Sequence, residues 1–233
     1  MITLLKLVLS HLLIRFFILP KKWSDEKEEK GFKSKYLYLQ TAIIGIGALI
    51  ALSDIKYWII VVLIVISHLL IEACRIKFLS INLLSFLLVQ FLHLVVFIYC
   101  VTYLMAEPIA INFSINTINL AIIVGFLFIT YPAGIIVNLA TKSWQEEINQ
   151  TKEERDSLEN AGKWIGIFER ILILIFILIN ESQAIGFLIA AKSILRFSDR
   201  NQDRQRKETE YVLIGTLISV TIAICIGIAI KSL

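Results

Sequence analysis

The chain has 233 residues, of which 58% are hydrophobic and only 18% charged. So little charge cannot cover the apolar surface of a water-soluble domain of this size, which excludes an ordinary soluble globule. The net charge of +4 is too modest to mark a nucleic-acid binder, and neither a phosphate-binding loop nor a dinucleotide fingerprint is present.

Eight apolar segments follow one another: Ile2–Leu19, Tyr36–Ser53, Tyr57–Ile76, Leu83–Met105, Ile118–Leu139, Trp164–Ile179, Ala184–Phe197 and Tyr211–Ile230. A spanning helix needs ~20 mostly apolar residues, because hydrocarbon offers no partner to a loose backbone group. Strand-type alternation is missing, which argues against a barrel. The predicted fold class is therefore all-α, a polytopic transmembrane helical bundle, with residues 1–233 forming a single transmembrane domain.

The first segment ends at Pro20-Lys21-Lys22 without a small-residue cleavage site, so it reads as a retained segment. Pro132-Ala133-Gly134 interrupts the fifth and predicts a kink. Between the fifth and sixth, Lys142–Gly162 carries Gln-Glu-Glu and Lys-Glu-Glu-Arg runs and predicts a cytoplasmic helical extension. That extension is first a solvated face and second a docking surface for a cytoplasmic protein partner; Asn201–Glu210 is similar. The seventh segment is short, sits behind the polar turn Asn180–Gln183, and either crosses or re-enters. Cys74, Cys100 and Cys225 all lie in apolar stretches without metal spacing and read as small buried side chains.

Charge counting favours crossing. With eight crossings, Lys21, Lys22, Lys27, Lys30, Lys33, Lys35, Arg75, Lys77, Lys142, Lys152, Arg155, Lys163, Arg200, Arg204, Arg206 and Lys207 share one side. The other side holds Lys56, Lys231 and almost nothing else. Positive loops mark the cytoplasm, so the basic loops are expected inside and both termini outside.

All three histidines fall near the middle of apolar segments: His11, His68 and His93 in the first, third and fourth. A polar side chain at that depth needs a partner, and three at one depth suggest one site. Ser10-His11-Leu12-Leu13-Ile14-Arg15 matches Ser67-His68-Leu69-Leu70-Ile71-Glu72 except at the last position. Residues four apart share a helix face, which places Arg15 and Glu72 one turn beyond their histidines and predicts an ion pair between them. If that pair stands alone, exchanging the two charges should preserve it. Gln90, one turn from His93 on the antiparallel fourth segment, joins the same polar layer. Three imidazoles with an open position suit a divalent metal such as zinc, with Glu72 as orienting group or catalytic base. Two other readings stay open: the groups hydrogen-bond one another and fix helix packing, or they form a proton or ion path. Further along, Glu169 and Arg170 are adjacent and should find separate partners. Lys192 is expected to snorkel to the cytoplasmic surface, with pairing to Glu169 as the alternative.

Several stretches resemble a bacterial membrane family, the domain-of-unknown-function family 3307. They are Ser10-His11-Leu12-Leu13 with Pro20-Lys21-Lys22-Trp23, Gly31–Leu37, Ile66–Ile71 and Gln90-Phe91-Leu92-His93. In the C-terminal half they are Ala161–Gly166 with Glu169-Arg170, Ala184–Ser193 with Arg196-Phe197, and Glu210–Thr216. The resemblance implies an acidic residue paired with each histidine, a pattern similar in style to membrane metal-dependent hydrolases. This chain keeps the histidines and Gln90 but places Arg15, Glu72 and Val89 at the slots where the family typically has aspartate. The resulting expectation is a metal-dependent membrane hydrolase or a degenerate form of one. The alternatives are a non-enzymatic membrane module that docks a cytoplasmic partner and, third, a transporter or channel.

Overall fold

A computed structural model of the chain describes residues 1–105, 115–147, 152–197 and 204–233, with side chains described in these ranges except at 115–116, 145–147, 152–161, 195–197 and 204–211. Among the described residues the chain is helical, with no strand. Helix α1 (Ile2–Leu12) continues into a π-helical stretch, Leu13–Ile18. Then come α2 (Lys21–Lys30), α3 (Lys35–Leu52), α4 (Trp58–Phe78), and α5 (Leu83–Tyr99) with a second π-helical stretch at Cys100–Leu104. They are followed by α6 (Ile115–Glu147), α7 (Lys152–Leu178), α8 (Ser182–Phe197) and α9 (Arg204–Lys231).

Local chemistry explains where the helices start and stop. Pro20, extended at ψ 142°, precedes α2 and supplies no backbone N–H, which breaks the chain from α1 at an angle of 86°. Gly31 ends α2 at φ +56°, a left-handed conformation that glycine adopts without a Cβ clash. The Ser34 hydroxyl accepts from the Tyr36 N–H at the start of α3, and the Asn82 side chain accepts from the Ser85 N–H at the start of α5. Between α3 and α4 the backbone N–H of Lys56 donates to Asp54, which with the Lys56 side chain holds that exposed carboxyl below its usual range.

Among the described residues, five stretches are long and apolar enough to cross a membrane: Lys35–Leu52, Ile55–Phe78, Leu83–Leu104, Thr117–Trp144 and Val212–Lys231. The bent pair Ile2–Ile18 and Lys21–Lys33 makes a sixth if counted as one broken span. The seventh predicted segment is a shorter apolar helix, Ser182–Ile194. All eight predicted segments are helical, but of the eight expected crossings the sixth, Trp164–Ile179, and the seventh are not among the candidate spans of the described residues, and α2 is an addition. The polar stretch 142–162 is helical over its described ends, with 148–151 outside the described residues; in the similar stretch 201–210, residues 201–203 are likewise outside.

Packing groups the chain into two compact units, Met1–Val124 and Gly125–Leu233. In the N-terminal unit α1 packs on α3, α3 on α4, α4 on α5 and α5 back on α1, a closed ring of four helices. Its core holds Leu7, Ile14, Ile44, Ala48, Ile60, Ile64, Phe97 and Val101. Large apolar side chains such as Ile50, Ile59, Leu70 and Phe91 point outward, as a lipid-facing surface requires. The α1–α3 contact is close because Gly47 has no side chain: a Cβ there would lie 2.6 Å from Ser10 Oγ. In the C-terminal unit α7 packs on α8 and α9 around Ile173, Ile185, Val220 and Ala223.

Candidate functional site

The inside of the four-helix ring carries a polar layer. Helix α4 presents His68, Glu72 and Arg75 at spacings of four and three, so all three share one face. Helix α5 buries Val89, His93 and Phe97 at spacings of four. Helix α1 contributes His11, and Arg15 follows one turn later inside the π-helical stretch. Widened turns of this kind re-aim side chains and recur at functional sites.

The three imidazoles converge and are buried. Ring centroids of His68 and His93 lie 4.6 Å apart in a stacked pair, with His11 at 4.9 Å from His93 and 6.0 Å from His68. Phe97 meets His11 edge-on at 5.5 Å. Among the described residues, Nδ1 and Nε2 of His11, Nε2 of His68 and His93, and the amide nitrogen of Gln90 are buried without a hydrogen bond of ordinary geometry, although Gln90 stands beside His11. Buried polar atoms in proteins are nearly always satisfied, so five orphans in one layer are unusual. His68 has a defined orientation. The Thr41 hydroxyl donates to Leu37 O at 2.8 Å, so toward His68 Nδ1, 3.5 Å away, it accepts. A proton on Nδ1 would satisfy that contact and would leave Nε2 with a free lone pair.

Glu72 is fully buried and lies among three cations. Arg15 donates to Oε1 at 2.5 Å, the ion pair expected from the repeated motif. Arg75 Nε donates to Oε2 at 3.2 Å, and Lys27 Nζ stands 3.7 Å from the same oxygen. Lys27 also donates to Gln40 Oε1, and Arg75 pairs with Glu28 at 2.5 Å. The Arg15–Glu72 pair is therefore one edge of a network and not an isolated bridge.

Among the described residues, the group whose ligand atoms all lie within 4.8 Å of one another is His68, Glu72 and His93; His11, expected as the third ligand, is not part of it. Ligand atoms around tetrahedral zinc stand ~3.4 Å apart, given bonds of ~2.0–2.1 Å, so holding a metal requires the rings to turn inward. The orphaned nitrogens fit that demand. The three cations around Glu72 oppose it.

Lys27, Glu28, Gln40, Thr41 and Arg75 were not singled out as site residues by sequence reasoning. Lys27 and Arg75 were read as loop cations. One signal was available for Arg75, which stands three residues after Glu72 and shares its face. Strong helix formers from Asp25 to Lys30 could have disclosed α2, but nothing local foretells burial of its lysine.

In the C-terminal unit Glu169 and Arg170 have separate partners. Lys192 makes the alternative contact expected of it, donating to Glu169 at 2.6 Å. Arg170, buried, donates from Nε to the Ile129 carbonyl, to Thr130 O at 3.1 Å and to Ser219 Oγ at 3.0 Å. The two carbonyls lie in the turn before Pro132, which continues inside α6. Proline withholds the N–H that would bond Phe128 O four residues back, and the guanidinium adds donors to the next two carbonyls of the same turn.

A family model described as "Protein of unknown function (DUF3307)" matches residues 3–122, a stretch that contains the whole imidazole and ion-pair layer. The C-terminal motifs Ala161–Gly166, Ala184–Ser193 and Glu210–Thr216 lie outside the matched residues. No curated protein and no solved structure matches the chain.

Proposed function

The chain belongs to the DUF3307 family, and from that premise we propose that it is a multi-pass membrane protein whose N-terminal unit holds a divalent transition metal such as zinc through His11, His68 and His93. The observation that carries this reading is the set of four buried imidazole nitrogens within one layer that lack a hydrogen bond of ordinary geometry. Neutral imidazoles are the commonest ligands for such an ion. When bound, the metal would supply a Lewis acid and an acidified water. The residues themselves do the rest: Thr41 contacts His68 Nδ1, Phe97 walls the layer on the His11 side, and the ring excludes bulk water.

Glu72 limits what chemistry follows. A general base must take up the reacting proton, and the cations bonded to both Glu72 oxygens compete with it there. The reading is therefore a degenerate form of a metal-dependent membrane hydrolase, in which the acidic residue serves as counter-ion in the docked arrangement. The same engagement favours, as second reading, a non-enzymatic membrane module that docks a cytoplasmic partner through 142–162 and 201–210. The basic loops would face the cytoplasm of a bacterial inner membrane, with both termini outside.

Elemental analysis of the purified full chain tests the metal. About one equivalent of a transition metal is expected, retained by His11→Gln at lower occupancy and lost in a His68→Ala, His93→Ala double variant. Failure to retain or regain any metal on soaking with Zn²⁺ overturns the reading.

A further inference from the structure

Two of the three cations at Glu72 belong to the helical ring itself: Arg15 follows α1 and Arg75 lies on α4. The third comes from outside the ring. Lys27 is carried by α2, ten residues bounded by Pro20 at one end and Gly31 at the other. The contacts that seat this helix are mostly polar. Lys27 reaches Gln40 and Glu72, Glu28 reaches Arg75, Ser34 Oγ donates to Glu26 at 3.5 Å, and Trp23 stacks on Tyr36 at 4.8 Å. Lys21, Lys22, Asp25, Glu29 and Lys30 on the same helix are exposed. A helix held this way, with a proline break and a left-handed glycine at its ends, contributes no residue to the apolar core of the ring, although its Lys27 is buried.

We propose that α2 is a strap whose Lys27 competes with metal for the polar layer, so that metal uptake and α2 docking oppose each other. The inference rests on the metal reading above and assigns that site its control. The geometry sets the competition. Lys27 Nζ stands 3.7 Å from Glu72 Oε2, and Glu72 places a carboxylate oxygen within 4.8 Å of His68 and His93, two of the three imidazoles that would hold the ion. A divalent ion entering there meets three cations in a low-dielectric ring, and like charges at such range strongly repel. Arg15 and Arg75 are anchored in the ring, whereas Lys27 can withdraw with its helix into water. Its withdrawal also frees one contact on the Glu72 carboxylate. Thermodynamic linkage makes the effect reciprocal: docked α2 weakens metal binding by the same factor by which metal weakens docking.

The test uses the full chain in lipid nanodiscs, with Zn²⁺ titrated against a competing chelator. Lys27→Met keeps the side-chain stem and removes the charge; Lys27→Gln keeps a hydrogen-bond donor for Gln40. Both should bind Zn²⁺ about tenfold more tightly than the unaltered chain, within the usual range of coupling. In the unaltered chain, Zn²⁺ should speed amide hydrogen exchange across residues 21–30, a readout that needs no substitution. Zn²⁺ binding of equal strength in all three proteins, with exchange of α2 unchanged, overturns the strap and leaves the metal site standing. Absence of Zn²⁺ binding in all three overturns the metal reading and the strap with it.

Discussion

Glu72→Gln is the most informative single perturbation of the N-terminal unit. The carboxylate is fully buried and faces cations at 2.5, 3.2 and 3.7 Å. At an effective dielectric constant of about 20, direct attractions at those separations are about 7, 5 and 4.5 kcal/mol. Most of each is offset by the cost of removing the charges from water, so the useful quantity is the share: Arg15 supplies roughly two fifths of the field on Glu72. Removing the carboxylate leaves all three cations with less than they need. Arg75 keeps Glu28 and Lys27 keeps Gln40, while Arg15 loses its ion pair. The expected loss is about 3–5 kcal/mol, the usual cost of stranding a buried charge. Arg15→Met, by contrast, leaves Glu72 with two cations, and two fifths of that figure is about 1–2 kcal/mol. Reversible unfolding of the full chain in mixed micelles with rising SDS, read by tryptophan fluorescence, measures both. The exchange Arg15→Glu with Glu72→Arg should not recover stability, because it sets an arginine against Lys27 and Arg75. The motif repeat alone suggested the opposite. Equal losses in the two single variants, or recovery in the exchange, would refute the network and restore an isolated pair.

Arg170→Met in the C-terminal unit removes donors from Ile129 O, Thr130 O and Ser219 Oγ and should cost about 2–3 kcal/mol, typical of hydrogen bonds from a charged group. Pro132→Ala returns an N–H to the same helix, so a double-mutant cycle between the two should show coupling of about 0.5–3 kcal/mol; strict additivity would separate Arg170 from the proline. Gly227→Ala places a Cβ 2.8 Å from Ile177 Cγ2 and 3.1 Å from Ile177 Cβ. Because the clash is with the branched root of the side chain, the helices must part, at about 1–3 kcal/mol in the same unfolding assay.

The helices were legible because each apolar run is long enough to be nothing else: Ile2–Leu19 was expected and Ile2–Ile18 is helical, Tyr36–Ser53 was expected and Lys35–Leu52 is helical. The convergence of His11, His68 and His93 was legible from depth alone, and the Arg15–Glu72 pair from matched spacing. What stayed hidden arises from tertiary structure. A lysine in a Glu- and Lys-rich segment between two apolar runs reads as solvated, and its burial is decided by Gln40 and Glu72, which lie 13 and 45 positions further along the chain. Arg75 looked like a boundary cation because periodicity locates a helix end without saying what packs beside it. Lys192 has enough stem to reach a membrane surface; its pairing depends on Glu169, which stands on the neighbouring helix within 2.6 Å.

The separation of Arg15 and Glu72 along the chain, 57 positions, bears on how the protein is made. In a membrane, a lone arginine costs up to about 2.5–3.5 kcal/mol at the centre of an inserting helix and less toward its ends. Helix α1 leaves the ribosome well before α4 exists, so it enters the bilayer carrying a charge whose neutralising partner has not been synthesised. Until α4 arrives, the first helix is held only by its leucines and isoleucines. Synthesis order thereby becomes part of the architecture: a nascent chain stopped after α3 should slip or be degraded, and the arrival of one glutamate commits the first hundred residues to their final arrangement.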